Sequence, residues 1–455
     1  MSSIPLTIIG FVLAVSVLVA VHEFGHYSVA RLLSIRVLRF SIGFGKPLWR
    51  RLGRNGTEFV VAAIPLGGYV KMLDEREGDV AEADRPFAFN RQSIPKRAAV
   101  LAAGPAFNLA FAVAAYWLVF VLGVPGIRPI VGEIAKDSYA EAAGFQARDE
   151  ITGVAGRDVA TWDGALFALL REVLDGGAIP VRVRDVDGSV REVVLEVGEN
   201  TEPLTEPGAL LRGLGLSAWS PPLPPRLGEI VDGEAAAASG LRTDDLITGV
   251  DGAPVADWQA WVDYVQARPG QTVRVEIERA GQKLELPLTI GETDQDDKHI
   301  GRIGAAPQTP EDFGAELRTE QRYAPLDAIG IAADKTADMA IVTLRMFWKM
   351  LWGEVSVRNI SGPISIAEFA GYSLSDGMVS FLLYLAIISI SLGLINLMPI
   401  PLLDGGQLLY AAIEAIKGAP LSQRAELIGQ QVGVALLLVL MSVAFYNDIT
   451  SRLVN

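Results

Sequence analysis

The sequence predicts a polytopic α-helical membrane protein: four transmembrane helices and a large insert of two tandem α+β units. Three observations predict it. Four stretches carry no Asp, Glu, Lys or Arg: Met1 to His22, Ala98 to Ile127, Gly377 to Leu403, and Leu427 to Asn447. Each reaches the roughly 20 residues that an α-helix needs to cross hydrocarbon. The insert between the second and third stretches repeats itself with a period of 96 residues and no gaps. Half of the 455 residues are hydrophobic, and a mean hydropathy of +0.33 is too high for an ordinary soluble enzyme.

Taken in order, residues 1–26 form the first span. It lacks a basic leading segment and a small-residue cleavage site, so it reads as a retained anchor rather than a signal peptide. Residues 27–97 form a loop with 13 basic against 7 acidic side chains, and residues 98–126 the second span. The repeat units occupy 127–220 and 221–309, followed by a membrane-proximal segment over 310–376. The third span is 377–403, a loop covers 404–426, and the fourth span is 427–447. Arg128 to Asp376 holds 23 basic against 41 acidic residues. Basic loops stay in the cytoplasm, so both termini and the acidic insert are expected outside. Met339 to Trp352 is apolar but carries Arg345 and Lys349, and reads as an interfacial amphipathic helix.

Within the insert, residues 131–162 and 227–258 share 15 identities in 32 positions. Asp149-Glu150-Ile151-Thr152-Gly153-Val154 recurs as Asp245-Leu246-Ile247-Thr248-Gly249-Val250, and Trp162 as Trp258. Each unit continues into an alternating strand pattern, and Pro221-Pro222-Leu223-Pro224-Pro225 separates the two. The pattern resembles PDZ domains of bacterial membrane and periplasmic proteases, which bind extended peptides at a sheet edge.

The composition excludes several chemistries. The chain has no cysteine, which removes disulfides, Cys-based zinc sites, iron–sulfur clusters and thiol catalysis. A formal charge of −14 argues against nucleic acid as a partner. There are three histidines, His22, His26 and His299, and any imidazole chemistry must use them.

Two of them lie in His22-Glu23-Phe24-Gly25-His26, an H-E-x-x-H at the end of the first span. On a helix, i and i+4 share a face, so both imidazoles reach one zinc ion. Glu23 beside them can take a proton from a water whose pKa zinc lowers to about 7. Catalytic zinc has three protein ligands, so the third is His299 or a carboxylate. His299 lies in an acidic loop of the outside insert, on the wrong side. Asp404 ends the third span, at the depth where the first span also ends, and an ionisable group beside such a span needs a partner. Pro399 and Pro401 break the helix there, and Gly405-Gly406 allows close backbone approach.

H-E-x-x-H in a first span, with Asn396-Leu397-Met398-Pro399-Ile400-Pro401-Leu402-Leu403-Asp404-Gly405-Gly406 after a third, resembles the site-2 protease family of intramembrane zinc metalloproteases. Four spans with tandem PDZ domains resemble its bacterial branch. Further matches are Phe40-Ser41-Ile42-Gly43-Phe44-Gly45, Pro65-Leu66-Gly67-Gly68-Tyr69-Val70, Ala103-Gly104-Pro105 with Asn108, and Ser361-Gly362-Pro363. The resemblance implies zinc on His22, His26 and Asp404, and Glu23 as base. It also implies a membrane-embedded β-region and a bacterial inner-membrane location, with the PDZ units periplasmic and the zinc near the cytoplasmic face. The implied substrate is a single-pass protein such as an anti-sigma factor already trimmed outside, or leftover signal peptides. Gln407 departs from the His of many relatives.

A transmembrane helix hides its peptide bonds, so cleavage needs an extended segment. The stretch around Gly43 and Gly45, with Phe59 to Ile64, can supply a strand edge, or form an ordinary cytoplasmic hairpin; Gly67, Gly68 and the amide of Asn396 are further substrate-binding candidates, with helix–helix packing the equal alternative for Asn396. Two readings without proteolysis stand beside this one. A PDZ-bearing scaffold leaves the H-E-x-x-H without purpose. A metal transporter would show inverted repeats and polar groups at mid-bilayer.

Overall fold

The computed structural model describes residues 4–198, 200–295, 298–419 and 421–454. Helix α1 (Ile4–Leu32) leads into two long strands, β1 (Val37–Leu52) and β2 (Glu58–Met72), and α2 (Ile94–Leu122) returns. At 1.5 Å per residue the 29 residues of α1 extend about 44 Å, beyond the roughly 30 Å of a hydrocarbon layer. Among the described residues, four helices are long and apolar enough to cross a membrane: Ile4–Leu32, Ile94–Leu122, Met378–Asn396 and Gln423–Arg452.

The β1–β2 pairing is doubled. Phe40 faces both Val70 and Phe59, Ser41 both Tyr69 and Val60, and Ile42 both Gly68 and Val61, while Trp49 to Leu52 pair with Val61 to Glu58. The segments therefore lie in the order 47–52, 58–62, 39–42, 68–72. This corrects the expected edge at Phe59 to Ile64, because residues 59–61 are paired on both sides. The outer segment is 68–72.

The first unit runs through β3 (Val124–Ile127), β4 (Val131–Ile134), α3 (Tyr139–Ala143), β5 (Glu150–Val154), β6 (Arg157–Asp158), α4 (Trp162–Val173), β7 (Gly177–Arg184) and β8 (Val190–Val197). It closes with α5 (Glu202–Thr205), α6 (Leu210–Leu214) and β9 (Leu216–Ala218). The second repeats this through β10 (Leu227–Ile230), α7 (Ala235–Ala238), β11 (Leu246–Val250), β12 (Ala253–Pro254), α8 (Trp258–Gln266), β13 (Thr272–Arg279) and β14 (Gln282–Thr289). Its sheet order, β12-β11-β13-β14, repeats the order β6-β5-β7-β8 of the first. Local chemistry repeats too. Thr161 caps α4 by accepting from the Gly164 N–H, and Asp257 caps α8 by accepting from the Ala260 N–H. Each unit encloses its own apolar core, around Ile151, Leu169 and Val181 in one and Ile247, Trp261 and Val275 in the other.

After β15 (Gly291–Gln295), β16 (Lys298–Arg302) and β17 (Ala305–Pro307), strand β18 (Arg318–Gln321) pairs with β3, Ile127 opposite Arg318 and Val124 opposite Gln321. The two ends of the insert thus meet in one ladder above α2. Helix α9 (Asp327–Leu351) is 25 residues long and begins 12 residues before the expected amphipathic segment. Its inner face packs on α2 through Ala328 and Ala332. Its polar positions meet the first unit, where Asp338 pairs with Arg157 and Arg171 and Arg345 with Asp175. Trp348 and Trp352 stay exposed.

Helices α10 (Pro363–Asp376), α11 (Met378–Asn396), α12 (Asp404–Lys417) and α13 (Gln423–Val454) complete the chain. The expected third span is shorter, ending at Asn396, and much of the expected 404–426 loop is α12. Buried Asp448 of α13 caps α10, accepting from the N–H groups of Gly362 at 3.1 Å and Ile364 at 2.9 Å.

Candidate metal centre

His22 and His26 lie one turn apart on α1 and are both buried, at 9% and 7% exposure. Their ring centroids are 4.8 Å apart and nearly perpendicular. Asp404 reaches them from the first turn of α12. It gets there because residues 397–403 turn sharply after α11, with Pro399 and Pro401 unable to continue the helix. Glycines at 405 and 406 let α12 start against that turn. A Cβ at Gly405 would lie 2.2 Å from the Leu397 carbonyl oxygen, and one at Gly406 2.2 Å from that of Ile400. Gln407 braces the same turn, its Nε2 donating to the Pro401 carbonyl at 3.4 Å.

The three donor atoms converge. His22 Nε2 is 3.1 Å and His26 Nε2 3.4 Å from Asp404 Oδ2, and the two Nε2 atoms are 3.2 Å apart. Tetrahedral ligands about 2.0–2.2 Å from a zinc ion stand roughly 3.3–3.6 Å from one another. The set therefore fits that ion closely. It also calls for a cation. His26 Nδ1 donates to the Val100 carbonyl at 2.8 Å, which leaves a lone pair on Nε2. Asp404 Oδ2 is buried and finds no hydrogen-bond donor.

Helix α2 forms the wall behind the imidazoles. A Cβ at Gly104 would lie 2.3 Å from His26 Nε2 and 2.7 Å from His22 Cε1. Only glycine lets this backbone pass. Asn108 is fully buried, and its amide sits 3.2 Å from His22 Nδ1 while its Oδ1 has no partner. An amide presents either atom. With Oδ1 turned to His22 it accepts the Nδ1–H, which pairs both atoms and frees the lone pair of His22 Nε2. The Ser389 hydroxyl donates to the Asn108 carbonyl at 2.8 Å and ties α11 into the same wall. The sequence alone assigns Gly104 and Asn108 no role. The available signal was an amide inside an uncharged span, which must find a partner.

Glu23 lies beside the donors, next to His22 on α1. Gly68 is next to it, since a Cβ there would approach Glu23 Cγ at 3.0 Å and the Ser41 carbonyl at 2.7 Å. Gly67, at φ +111°, lies against the Phe44 ring. Gly43 and Gly45, both at φ +88°, form the bend of β1 against Ile64. Asn396 is half-buried at the end of α11. His299 is elsewhere, exposed on the β15–β16 hairpin, with Nδ1 2.9 Å from Asp294.

The sequence profile of peptidase family M50 matches residues 10–440. The regulator of sigma E protease of Salmonella typhi is 42% identical over 458 residues, covering 98% of this chain and 99% of the relative. A protein of Neisseria meningitidis serogroup A named as a zinc metalloprotease is 41% identical over 449 residues, covering 98% and 99%. Among solved structures, a PDZ domain of an SdrC-like protein from Listeria innocua matches 19% of this chain and 97% of its own, at 24% identity and a TM-score of 0.17.

Proposed function

The chain belongs to peptidase family M50 and is a metalloprotease; on that premise we propose that it is an intramembrane zinc endopeptidase of a bacterial inner membrane. His22, His26 and Asp404 hold the zinc, and Glu23 is the general base. The observation that carries this reading is the convergence of three donor atoms within 4.8 Å, from residues nearly 380 positions apart. Bound zinc supplies the Lewis acid that polarises a peptide carbonyl and acidifies water. Val100 and Asn108 fix the imidazole tautomers so that both Nε2 atoms face the ion. Glu23 takes a proton from the attacking water and returns it to the leaving nitrogen as the C–N bond breaks.

The substrate is a single-pass membrane protein, of the anti-sigma-factor kind by the relatives' names. Its cleaved segment unwinds and pairs along the outer segment 68–72, whose Gly68 and Val70 adjoin Glu23. Gly67 lets that edge bend, Gly43 and Gly45 fold the sheet behind it, and the Asn396 amide holds the substrate backbone. The basic 27–97 loop supports a cytoplasmic side for the zinc and an outside location for the repeat units. The test is cleavage in liposomes of a single-pass substrate already shortened outside. It is expected to be cut within its apolar segment, to be protected by a zinc chelator, and to be cut again when zinc is restored. Cleavage that ignores the chelator, or a substrate left intact by zinc-loaded protein, contradicts the proposal.

The two PDZ-like units are the gate rather than part of the chemistry. The β3–β18 ladder supports this, because it ties both ends of the insert above α2. It also prescribes the deletion. Ile127 and Arg318 are ladder partners, so a tight hairpin turn can replace residues 128–317 and keep the pairing. The deletion variant is expected to cut a full-length substrate that the intact protein rejects, and to keep cutting the shortened one. A folded, zinc-loaded variant that still rejects the full-length substrate shows that the units are not the gate; loss of cleavage of the shortened substrate assigns them to docking instead.

A further inference from the structure

Helix α12 brings Asp404 to the imidazoles, but the carboxylate has no anchor of its own, since Oδ2 finds no hydrogen-bond donor. Where it sits therefore depends on where α12 sits. The first turn is seated by Gly405 and Gly406 against residues 397–401, which belong to the same stretch of chain. The contact that refers α12 to the imidazoles lies towards its other end. Arg97 of α2 donates through Nη2 to Glu414 Oε1 at 2.7 Å. Apart from Asp404 with the histidines, this is the one ion pair among the described residues that joins α12 to another element.

The pair is not a solvated surface contact. Its side chains are 15% and 20% exposed, and Arg97 Nε is buried without a partner, so Glu414 is what pairs this guanidinium. Lys417, one turn further along α12 and exposed, has the spacing for an ion pair within the helix, yet Glu414 meets Arg97 instead. Removing one partner strands the other in a partly buried place, which costs more than losing an exposed pair. The face of α2 that carries Arg97 also carries the back of the metal centre. Residues 97, 104 and 108 are seven and four positions apart and share that face. Gly104 lets the imidazoles pass, Asn108 meets His22 Nδ1 at 3.2 Å, and the carbonyl of intervening Val100 accepts from His26 Nδ1 at 2.8 Å. One helix thus orients both histidines and grips the helix of the third donor, within a rise of about 17 Å.

We propose that Arg97 and Glu414 are a positioning pair: they seat α12 on α2 and so hold the Asp404 carboxylate at the Nε2 atoms of His22 and His26. Neither residue touches substrate or metal, and both act through Asp404. Glu414 lies ten residues beyond Asp404, about 15 Å along the helix. Fixing it there sets the roll and tilt of α12 about its glycine pivot, and roll swings the Asp404 side chain towards or away from the imidazoles. Without the pair, α12 keeps its helix and its turn at 397–403, but the carboxylate is held less closely to the two nitrogens. The inference rests on the zinc site proposed above. The seating of α12 can be read without metal, so the two can fail separately.

The absence of cysteine lets two labels be placed on the full chain without background. Lys96→Cys on α2 and Lys417→Cys on α12, both at exposed positions, carry nitroxides in the metal-free protein, and pulsed electron resonance reads the distance between them. The otherwise wild-type chain is expected to give one narrow distance. Glu414→Gln and Arg97→Gln are each expected to broaden it, and the exchanged pair, Arg97→Glu with Glu414→Arg, to narrow it again. Without labels, zinc-loaded Glu414→Gln is expected to release its metal to excess chelator about tenfold faster, the lower end of the cost of losing a group that supports a ligand. With cobalt(II) in place of zinc, the visible absorption of Glu414→Gln should change shape, which a loss of stability alone would not produce. A distance that stays narrow in both single variants, zinc release at the wild-type rate, or an unchanged cobalt spectrum would each overturn the proposal. Wild-type protein that binds no zinc would overturn the zinc site itself, while the label distances still decide whether the pair seats α12.

Discussion

Glu23→Gln lowers peptide hydrolysis by about 10²–10⁴-fold, the range of general acid–base catalysis, while zinc content stays at the wild-type level. Glu23 is not among the three converging donors, His22, His26 and Asp404. The amide therefore removes no ligand, and it keeps the shape of a side chain packed against Gly68. The one property lost is the ability to take the water's proton. The measurement is single-turnover cleavage of a shortened single-pass substrate, with zinc quantified on the same preparation. Turnover within about tenfold of wild type, less than general-base catalysis typically contributes, would show that Glu23 is not the base. A parallel loss of zinc would show that its role is structural.

The parts of the molecule that were legible in the sequence are those fixed by local rules. The bilayer demands about 20 uncharged residues per span, and the four such runs correspond to four long apolar helices. The i, i+4 spacing of His22 and His26 follows from helix geometry alone. Asp404 could be paired with them because an ionisable group at a span end needs a partner and the spans share a direction. The 96-residue repeat carried its own structure, down to the helix caps at Thr161 and Asp257.

What the sequence hid depends on partners far along the chain. Phe59 to Val61 looks like a free edge because its alternation says nothing about how many neighbours it has. The β1 strand takes both, pairing residues 39–42 with 58–61 and again with 68–72. Helix α9 outran its expected limits because its charges at Asp338 and Arg345 are met by Arg157, Arg171 and Asp175 of the first unit. The loop expected over 404–426 is largely α12, and the close approach expected of Gly405-Gly406 occurs inside that helix. In the first turn of α12 the same residues are needed for close approach to Leu397 and Ile400. The role of Gly104 likewise appears only once α2 lies against the imidazoles.

If, as proposed, a carboxylate from α12 completes a zinc site begun on α1, the metal content of two variants must differ. Wild type should carry about one zinc per chain, as a three-ligand site with one open position does. Asp404→Ala leaves two imidazoles and should lose most of that zinc on dialysis, an effect beyond the 10–100-fold typical of groups that merely support a ligand. His299→Ala should keep it all, since His299 is exposed on the β15–β16 hairpin. Helical content by circular dichroism should match wild type in both, because Asp404 Oδ2 accepts no hydrogen bond that holds the fold. Zinc lost in Asp404→Ala and retained in His299→Ala is the predicted result. Full zinc in Asp404→Ala, with zinc lost in His299→Ala, would contradict the site.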